Sequence, residues 1–433
     1  MAVTVIEWRS GSRNKTVDAM LNRPSVDPRA ERVAQKAIRD IRRQGDEAVS
    51  RYASRYDGVT LRASQFRVRD REFEQAEKQL SARHKRAIRK AQSRVARFAR
   101  EGQRKDWSID TGKGGKLGEQ FQPFDRVGVY IPGGEAPLAS TVIMTVTLAK
   151  VADVPEVVVC TPCGADGAVD PAILYAASIP GASDVYRVGG IQAIAAMAIG
   201  TKTIGKVQKI VGPGGPYVTA AKKVVYGEVG LDLVAGPSEI CILADATADA
   251  RFVAADLISQ AEHGTGYEKA MLVTSSARVA RDVQREIDRQ TATRNRKSLI
   301  RKVIRRGMLI VRVRNLTDGI ELCNAFAPEH LELQVKYPRR WLPRVTCAGA
   351  VFLGSWSPES VGDFVAGPSH VLPTGGAAAS FSGLTVDDFQ RRSSVIAYTK
   401  ADLKAALPVI EAFGEIEGLD GHSYAASVRF EDR

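Results

Sequence analysis

Short apolar runs alternate with alanine-rich segments along the chain from residue 126 onward. The runs are Val127–Ile131, Glu156–Cys160, Val185–Val188, Lys209–Val211, Ile240–Leu243, Ala270–Thr274, Met308–Val313 and Ala350–Leu353. The segments between them include Ser140–Val151, Pro171–Ala177, Ile191–Ile199 and Arg251–Ala261. Strands that alternate with helices of this length form βαβ units, in which helices cover both faces of a parallel sheet. The pattern therefore predicts an α/β fold with two successive doubly wound parallel sheets.

The two ends of the chain carry a different pattern. Near the start, Val33, Ala37 and Ile41 recur on one helical face, and a long charged helix is expected from about Glu72 to Glu101. After Phe381 the alternation fades, and a helix near residues 400–413 precedes a short terminal stretch. We therefore expect a helical N-terminal region (1–125), two sheet domains (126–235 and 236–380) and a C-terminal arm (381–433).

Length and composition agree with several domains of ordinary globular type. A chain of 433 residues is too long for one core, and its hydrophobic content is 44% with 26% charged residues. No apolar stretch reaches the roughly 18 residues of a membrane span, and Glu7 and Arg9 interrupt any signal-peptide core. The expected location is the cytoplasm, with no membrane partner.

The cysteines predict no disulfide framework. They are odd in number and scattered, at Cys160, Cys163, Cys241, Cys323 and Cys347. Cys160-Thr-Pro-Cys163 follows an apolar run and has no second pair to complete a zinc site. This pair is interpreted as the end of a strand.

The net charge of +13 permits binding to nucleic acid, and a nucleic-acid-binding protein built on a retired enzyme scaffold is one hypothesis. However, the Lys and Arg residues of segment 83–105 alternate with apolar residues at helical spacing, which is typical of a solvated helix face. We therefore favour attraction for anionic cofactors and substrates, and expect no nucleic-acid partner.

Glycine-rich turns follow three of the predicted strands, at Ile131–Gly134, Val188–Gly190 and Gly212–Gly215. Ligands of open parallel sheets bind at the carboxyl ends of strands, where glycines let backbone amides approach a pyrophosphate. No GxGxxG sequence is present, and tight turns alone would explain the glycines. Nucleotide binding remains one of two interpretations of these turns.

The histidines lie in chemically suggestive contexts. Four of the five fall in the second half, where His263 follows Gln260 and His330 follows Glu329. His370 lies shortly after Asp363, and the fourth is His422. Imidazole nitrogen combined with carboxylate or amide oxygen is the ligand set of a zinc or similar divalent site that does chemistry. Any one of these histidines could also be structural, but together they indicate a composite active site.

The spacing of these residues gives further expectations. Gln260 and His263, three residues apart near a helix end, are predicted to share one face. Asp363 is expected at the carboxyl end of the strand Ala350–Leu353. Glu329 and His330 follow Pro328, and we expect a loop-to-helix junction with an acid/base pair. The alternative role for Glu329 is charge compensation at a helix N-terminus.

Ordered motifs over nearly the whole chain resemble those of the histidinol dehydrogenase family. They are Tyr130-Ile-Pro-Gly-Gly134, Val188-Gly-Gly-Ile-Gln-Ala-Ile-Ala-Ala196, Ala235-Gly-Pro-Ser-Glu239, Ser259-Gln-Ala-Glu-His-Gly264, Ala327-Pro-Glu-His-Leu331, Gly362-Asp363 and His370-Val-Leu-Pro-Thr374. Gly45-Asp-Glu-Ala48 and the terminal stretch from Glu417 to His422 extend the resemblance.

The resemblance implies two Rossmann-like domains, a helical N-terminal region and a small C-terminal arm packed on the partner subunit of a homodimer. It also implies oxidation of L-histidinol to L-histidine through the aldehyde, with two NAD molecules and one zinc ion. The residues that match family positions are the zinc ligands Gln260, His263, Asp363 and His422 (the last from the partner chain), the acid/base residues Glu329 and His330, the substrate contacts Ser238, Glu359, His370 and Glu417, and the nucleotide contacts Tyr130 and Gln192.

Three positions depart from the family pattern. Gly215 stands where an Asn on the nucleotide side is usual, Phe364 replaces a usual Tyr, and Ser369 replaces a frequent Asn. The alternative hypothesis is therefore the same chemistry on another small polar alcohol, such as a sulfopropanediol. Retention of Glu359, His370 and Glu417 favours histidinol.

Overall fold

The structure is a computed structural model that describes residues 3–23, 28–133, 136–234, 236–263 and 266–431. Gly134, Ala235 and Gly264, which belong to sequence motifs, lie outside the described residues. The chain forms two compact units. Unit 1 comprises Met1–Gly102 and Phe124–Phe389, and unit 2 comprises Gln103–Pro123 and Gln390–Arg433.

The helices are α1 (Lys15–Leu21), α2 (Pro28–Gln44), α3 (Asp46–Tyr56), α4 (Asp70–Gln79), α5 (Ala82–Gly102), α6 (Ala139–Val151), α7 (Pro171–Ser178), α8 (Gly190–Ile199), α9 (Pro216–Val225), α10 (Ala250–Ala261), α11 (Ala277–Thr291), α12 (Lys297–Arg306), α13 (Leu316–Phe326), α14 (Glu359–Phe364), α15 (Lys400–Glu417) and α16 (Asp420–Ser427). Short 3-10 turns lie at Ala63–Gln65, Pro338–Arg340, Leu342–Arg344, Ala377–Ala379, Val386–Phe389 and Val428–Phe430.

The strands are β1 (Thr4–Glu7), β2 (Trp107–Asp110), β3 (Lys116–Pro123), β4 (Arg126–Tyr130), β5 (Glu156–Cys160), β6 (Asp184–Tyr186), β7 (Lys209–Val211), β8 (Gly230–Leu231), β9 (Glu239–Ala244), β10 (Lys269–Thr274), β11 (Met308–Arg312), β12 (His330–Gln334), β13 (Ala350–Leu353) and β14 (Gln390–Ala397).

The first parallel sheet has the order β6-β5-β4-β7-β8. Numbered within the sheet, this is the 3-2-1-4-5 order of a Rossmann-like fold, with the switch point between β4 and β7. One face packs with α8, α9 and the N-terminal helices α2 and α3, and the other packs with α5, α6 and α7. The buried face of α2 carries Ala34, Ala37, Ile38 and Ile41, because the apolar stripe seen in the sequence faces this core.

The second parallel sheet has the order β1-β11-β10-β9-β12-β13. Without β1, its order is again 3-2-1-4-5. Helices α10, α11 and α12 cover one face, and α1 and α13 cover the other. The predicted α/β fold with two doubly wound parallel sheets is confirmed. Strand β1 was not predicted; it is a short edge strand whose four residues are mostly exposed.

Unit 2 contains a three-stranded antiparallel sheet, ordered β14-β3-β2, together with α15 and α16. The C-terminal strand β14 thus pairs with β3, which comes from the region expected to be helical. Most residues of β14 and β2 are exposed, so their sequences lack the apolar runs by which buried strands are recognised. Among the described residues, no helix is both long and apolar enough to span a bilayer.

Candidate active site

The candidate site lies in unit 1, where strands β9 and β12 of the second sheet begin. β12 starts at His330 and β9 starts at Glu239. The last turn of α10 and the short helix α14 run back to the same edge, because each follows its strand and reverses direction. Doubly wound sheets usually bind ligands at the opposite, carboxyl edge of their strands. The second sheet therefore contributes its amino edge to this site.

Asp363 does not lie at a strand carboxyl end, as the sequence suggested. It belongs to α14, and its Oδ1 lies 3.7 Å from His330 Nε2 at the amino end of β12. The loop after β13 was the expected location of Asp363. In the structure α14 begins at Glu359 and carries Asp363 back along the sheet.

Glu329 and His330 lie at a helix-to-strand junction, and the expected loop-to-helix junction is wrong. Helix α13 ends before Ala327, which adopts a left-handed conformation with φ of 44°. Its N–H bonds to Cys323 O and Asn324 O, closing the helix. Residues 330–334 then pair with both β9 and β13, so an interior strand begins at His330.

The ring of His330 is buried and directed by the backbone of β9. Its Nδ1 lies 3.0 Å from Glu239 O, which only accepts hydrogen bonds, so Nδ1 carries the hydrogen of the neutral ring. Nε2 then keeps its lone pair and has no hydrogen-bond partner among the described residues. Burial lowers the pKa of His330 to about 4, although the Asp363 carboxylate opposes this shift. At neutral pH the ring is a neutral base with its Nε2 lone pair unused.

Glu329 is also held by Glu239. The backbone N–H of Glu239 donates to Glu329 Oε2 (2.8 Å), and the Ser238 hydroxyl contacts the same carboxyl group. Burial raises the pKa of Glu329 well above the ordinary range of a glutamate. Such a carboxyl group exchanges a proton closer to neutral pH, as general acid/base chemistry requires.

Three residues meet as a candidate metal centre: the ligand atoms of His263, Glu359 and Asp363 all lie within 4.8 Å of one another. Gln260 is fully buried beside them. Its amide is satisfied when Nε2 donates to Glu359 Oε1 (2.8 Å) and Glu239 O (3.1 Å). The amide oxygen then faces His263, whose Nδ1 lies 3.4 Å from it.

The set of imidazole, carboxylate and amide oxygen fits a zinc ion. Glu359, assigned by resemblance to the substrate, thus also faces the candidate metal centre. Its Oε2 accepts from the Ser259 hydroxyl (2.8 Å), and burial raises its pKa well above the ordinary value.

His370 bonds to one residue beside each of the two parallel sheets of unit 1. Its Nδ1 donates to Asp363 O (3.0 Å), and its Nε2 accepts from the hydroxyl of Thr141 (3.0 Å) in the first turn of α6. Burial lowers its pKa, so the ring is neutral. His370 therefore links the second sheet's amino edge with the first sheet's carboxyl edge.

Tyr130 and Gln192, the nucleotide contacts implied by the resemblance, lie at the carboxyl edge of the first sheet, but both are buried. The Tyr130 hydroxyl accepts from Gly190 N–H (3.0 Å), and Gln192 Nε2 donates to Asp57 Oδ2 (2.8 Å). Gln192 is 0% exposed. These side chains therefore support the turn at Gly190 from inside the protein.

Gly215 lies at the same edge, as the N-cap of α9. The preceding turn depends on Gly212, whose φ is 113° and whose missing Cβ would lie 2.2 Å from Tyr130 O. Both backbone groups of Gly212 form hydrogen bonds. Its N–H donates to Asp232 Oδ2 (2.7 Å), and its carbonyl accepts from Lys222 Nζ (2.9 Å). The turn thus presents the start of α9 at the switch point between β4 and β7.

His422 and Glu417 belong to unit 2, where both are exposed, in α16 and at the end of α15. His422 lines a cavity of about 690 Å³ within that unit. The other implied ligands, Gln260, His263 and Asp363, belong to unit 1.

Several contributors were missed by the sequence analysis. They are Glu239, which acts through its backbone, Ser259, Thr141 and Asp57. Glu239 was visible as the end of the Ala235–Glu239 motif, but a backbone role leaves no signature in residue type. Thr141 and Asp57 approach from distant elements, so only the tertiary structure shows them.

Comparisons with known proteins agree along the chain. The model of the family described as histidinol dehydrogenase matches residues 21–430. The chain is 44% identical over 396 residues to a histidinol dehydrogenase of Heliobacterium mobile, covering 92% of each. It is 43% identical over 408 residues to one of Bacillus cereus, covering 94% of each. The crystal structure of histidinol dehydrogenase from Elizabethkingia anophelis superposes with a TM-score of 0.93 at 34% identity, covering 99% of this chain and 98% of that one.

Proposed function

Since the chain belongs to the histidinol dehydrogenase family and is thus an oxidoreductase, we propose that it oxidises L-histidinol to L-histidine through the aldehyde. Two NAD molecules accept the two hydrides, and water supplies the second oxygen of the carboxylate. The observation that carries the proposal is the buried, neutral His330, whose Nε2 lone pair has no partner among the described residues.

In the first oxidation, His330 Nε2 takes the proton of the alcohol as hydride leaves carbon. The ring is suited to this role because burial keeps it neutral and the Glu239 carbonyl directs its hydrogen to Nδ1. The carboxylate of Asp363, with Oδ1 at 3.7 Å from Nε2, stabilises the imidazolium that forms.

In the second oxidation, Glu329 removes a proton from water as the water adds to the aldehyde. The hydrate then loses its hydride to the second NAD molecule. The raised pKa of Glu329 makes it a stronger base than an exposed glutamate, and the Glu239 N–H holds its carboxyl group in one orientation.

We propose that Gln260, His263, Asp363 and the partner subunit's His422 hold a zinc ion. When bound, the ion would supply a positive charge that helps to orient the substrate. Support comes from the convergence of the unit 1 residues within ligand distance of one another. The described residues of α16 leave His422 exposed, as a ligand for another chain requires.

We place the nucleotide at the carboxyl edge of the first sheet. Support comes from the glycine-rich turn at Gly212, the N-terminus of α9 at Gly215, and the switch point between β4 and β7. Tyr130 and Gln192 act from behind the surface, by holding the turn at Gly190.

Ser238, Glu359, His370 and Glu417 are the proposed substrate contacts. A sulfonated diol has no imidazole or amine for buried carboxylates to bind, so Glu359 favours histidinol. The second candidate remains another small polar alcohol, because two positions that depart from the family pattern do not contribute polar groups to the site. Phe364 is 58% exposed on α14, and the hydroxyl of Ser369 donates to Met144 O.

We further propose a cytoplasmic homodimer in which unit 2 packs on the partner. Exposed apolar residues of unit 2, among them Val409, Phe413 and Ile416, support a protein-covered surface. Five free cysteines, including Cys241 and Cys323 with sulfur atoms 3.5 Å apart, support a reducing compartment.

The test is NADH formation with histidinol against a panel of diols and amino alcohols, each with and without a chelator. Two NADH per histidinol, lost on chelation and restored by zinc, is the expected result. Turnover of a sulfonated diol instead of histidinol would select the second candidate, and no turnover of any alcohol would contradict both.

A further inference from the structure

Arg23 and Glu239 form an ion pair that is almost wholly buried. Their side chains are 6% and 2% exposed. Arg23 Nε and Nη2 each donate to one carboxyl oxygen of Glu239, the second at 2.6 Å. Nη2 also donates to Phe326 O (2.8 Å), and the guanidinium lies 3.9 Å from the centre of the Phe326 ring. Its Nη1 donates to Met20 O (3.1 Å) and Leu21 O (3.3 Å), so every nitrogen of the guanidinium is bound.

The backbone of Glu239 holds both acid/base residues. Its N–H donates to Glu329 Oε2 (2.8 Å), and its carbonyl accepts from His330 Nδ1 (3.0 Å). A displacement of this one peptide segment would move the Glu329 carboxyl group and release the His330 ring. Arg23 contacts neither catalytic side chain, but it binds the carboxyl group of Glu239, whose backbone orients both.

Arg23 reaches this position from the segment after α1, far from the other site residues in sequence. Helix α1 is anchored by Val17 and Met20, which are buried in the core that α13 also covers. Phe326, the last residue of α13, lies three residues before Glu329. The guanidinium thus joins the start of β9 to the end of α13, the two elements that lead into the catalytic pair.

We propose that Arg23 is a positioning residue, which aligns Glu329 and His330 through the backbone of Glu239. The inference rests on the proposed function and adds a residue that chemistry alone would not select. Stability does not explain the arrangement, because replacing a buried ion pair by apolar side chains of similar volume is often neutral or stabilising. A bidentate guanidinium instead fixes orientation, which a lysine cannot reproduce.

The test compares Arg23→Leu with the double variant Arg23→Leu/Glu239→Leu. The single change leaves Glu239 charged and unpaired, so loss of folding is expected to contribute there. The double change removes both charges and keeps the interior apolar. We expect it to fold with a melting temperature near that of the native protein, yet to have kcat lowered about 100-fold for both alcohol and aldehyde. KM for NAD should change little, because the nucleotide edge belongs to the other sheet.

The matched control is Arg42→Leu/Glu228→Leu, which removes a surface Arg–Glu pair in which Arg42 Nη2 donates to both carboxyl oxygens of Glu228, with side chains 50% and 47% exposed. Its kcat should equal that of the native protein. Arg23→Lys keeps the positive charge but cannot donate to both carboxyl oxygens from two nitrogens. Its kcat should therefore lie between those of the native protein and the double variant. A folded double variant with native kcat would overturn the proposal.

A measurement without substrate separates this proposal from the proposed function. In protein with 15N-labelled histidine, assigned with His330→Asn, His330 should show a neutral ring with hydrogen on Nδ1. The double variant should lose this single tautomer, whereas the surface control should keep it. An unchanged tautomer in the double variant would refute the positioning role even if histidinol proved not to be the substrate.

Discussion

Burial acts on the two acid/base residues in the same chemical sense, because it favours the neutral form of each. It lowers the pKa of His330 to about 4 and raises that of Glu329. At neutral pH the imidazole is therefore the free base, whereas the raised pKa of the carboxyl group brings its proton exchange closer to neutral pH. Both residues bind the backbone of Glu239. Their different roles therefore depend on whether each one reaches the alcohol of the substrate or the attacking water.

Glu329→Gln should impair the second oxidation more than the first, because only the aldehyde step needs water activated by a base. We expect aldehyde oxidation to fall by about 100-fold or more and alcohol oxidation by less. The two rates are measured with alcohol and aldehyde supplied separately. Equal losses would contradict the assigned roles.

His263→Ala should release the metal with little unfolding. His263 is exposed and follows the end of α10, so its removal creates no cavity in the core. Zinc per chain and melting temperature are the measurements. His84→Ala, at an exposed histidine of α5, is the control and should keep its metal. Full metal occupancy in His263→Ala would exclude it as a ligand.

At the scale of the elements, the second sheet has a Rossmann-like order, and the side chain of Asp245 lies at its switch point, between the ends of β9 and β12. The Asp245 carboxylate accepts from Thr247 N–H (2.8 Å) after β9 and from Lys336 N–H (2.7 Å) after β12. The backbone N–H groups of Thr247 and Lys336, which a phosphate would otherwise bind, thus donate to a carboxylate of the protein itself. This sheet instead supports the catalytic residues at its amino edge.

The contact between α10 and β12 contains two buried carboxyl groups, Asp256 and Glu332, which share a hydrogen bond. Burial raises the pKa of Asp256 to about 6, against 3.8 for an ordinary aspartate. The folded state therefore binds more protons than the unfolded state between these values, and stability falls as pH rises through this window.

Asp256→Asn removes this ionisation and should stabilise the protein above pH 6. A gain of at most about 3 kcal/mol is expected at pH 8, shrinking towards pH 4, since one pKa unit corresponds to about 1.4 kcal/mol. The difference in free energy of unfolding between Asp256→Asn and the native protein is measured by denaturant unfolding at several pH values. A gain independent of pH would show that the carboxyl group is not the cause.

The N-terminus of α9 allows a direct test of the missing asparagine. Gly215 has φ of −68°, and a Cβ there would meet nothing within 4 Å, so Gly215→Asn introduces no strain. An asparagine N-cap adds a hydrogen-bonding side chain at the proposed nucleotide edge. We expect KM for NAD to fall about threefold or more, which is roughly the gain in affinity from one added hydrogen bond. The value of kcat should be unchanged.

Gly212→Ala is the contrasting variant at that turn. Its left-handed φ and the close approach to Tyr130 O predict a higher KM for NAD and lower stability. If neither variant changed KM for NAD, the turn would not be part of the nucleotide site.

At the scale of the whole molecule, the residues that the resemblance implies for the site are divided between the two compact units of the chain. Unit 1 contains the acid/base pair and the cluster of His263, Glu359 and Asp363. Unit 2 carries Glu417 and His422 on exposed surfaces. A homodimer with shared sites is the assembly that we propose to bring these residues together.

Mixing inactive His422→Ala chains with inactive Glu329→Gln chains tests shared sites. A mixed dimer then has one site with both changes and one with neither, so activity should recover to about half that of the native protein per mixed dimer. Isolated mixed dimers, purified through two different tags, provide the measurement. No recovery would mean that each chain builds its own site.

Much of the fold was determined by local pattern. Apolar runs of strand length alternating with helical segments specify buried parallel strands, because both faces of such strands need covering. Strands β1, β2 and β14 escaped prediction because most of their residues are exposed, and β1 and β14 pair with strands far away in the chain. The buried strand β12 escaped as well, because Pro328 was taken to mark the start of a helix.

The sequence by itself determined which residue types are available for chemistry: Gln260 and His263 on one helix end, Glu329 beside His330, and glycines at strand ends. Only the tertiary structure decided which edge of the second sheet they use, that Asp363 returns along α14, and that Glu239 acts through its backbone. The reason is physical. Local propensity depends on neighbouring residues, whereas the Arg23–Glu239 pair joins residues 216 positions apart, which only the packing of the whole fold can place in contact.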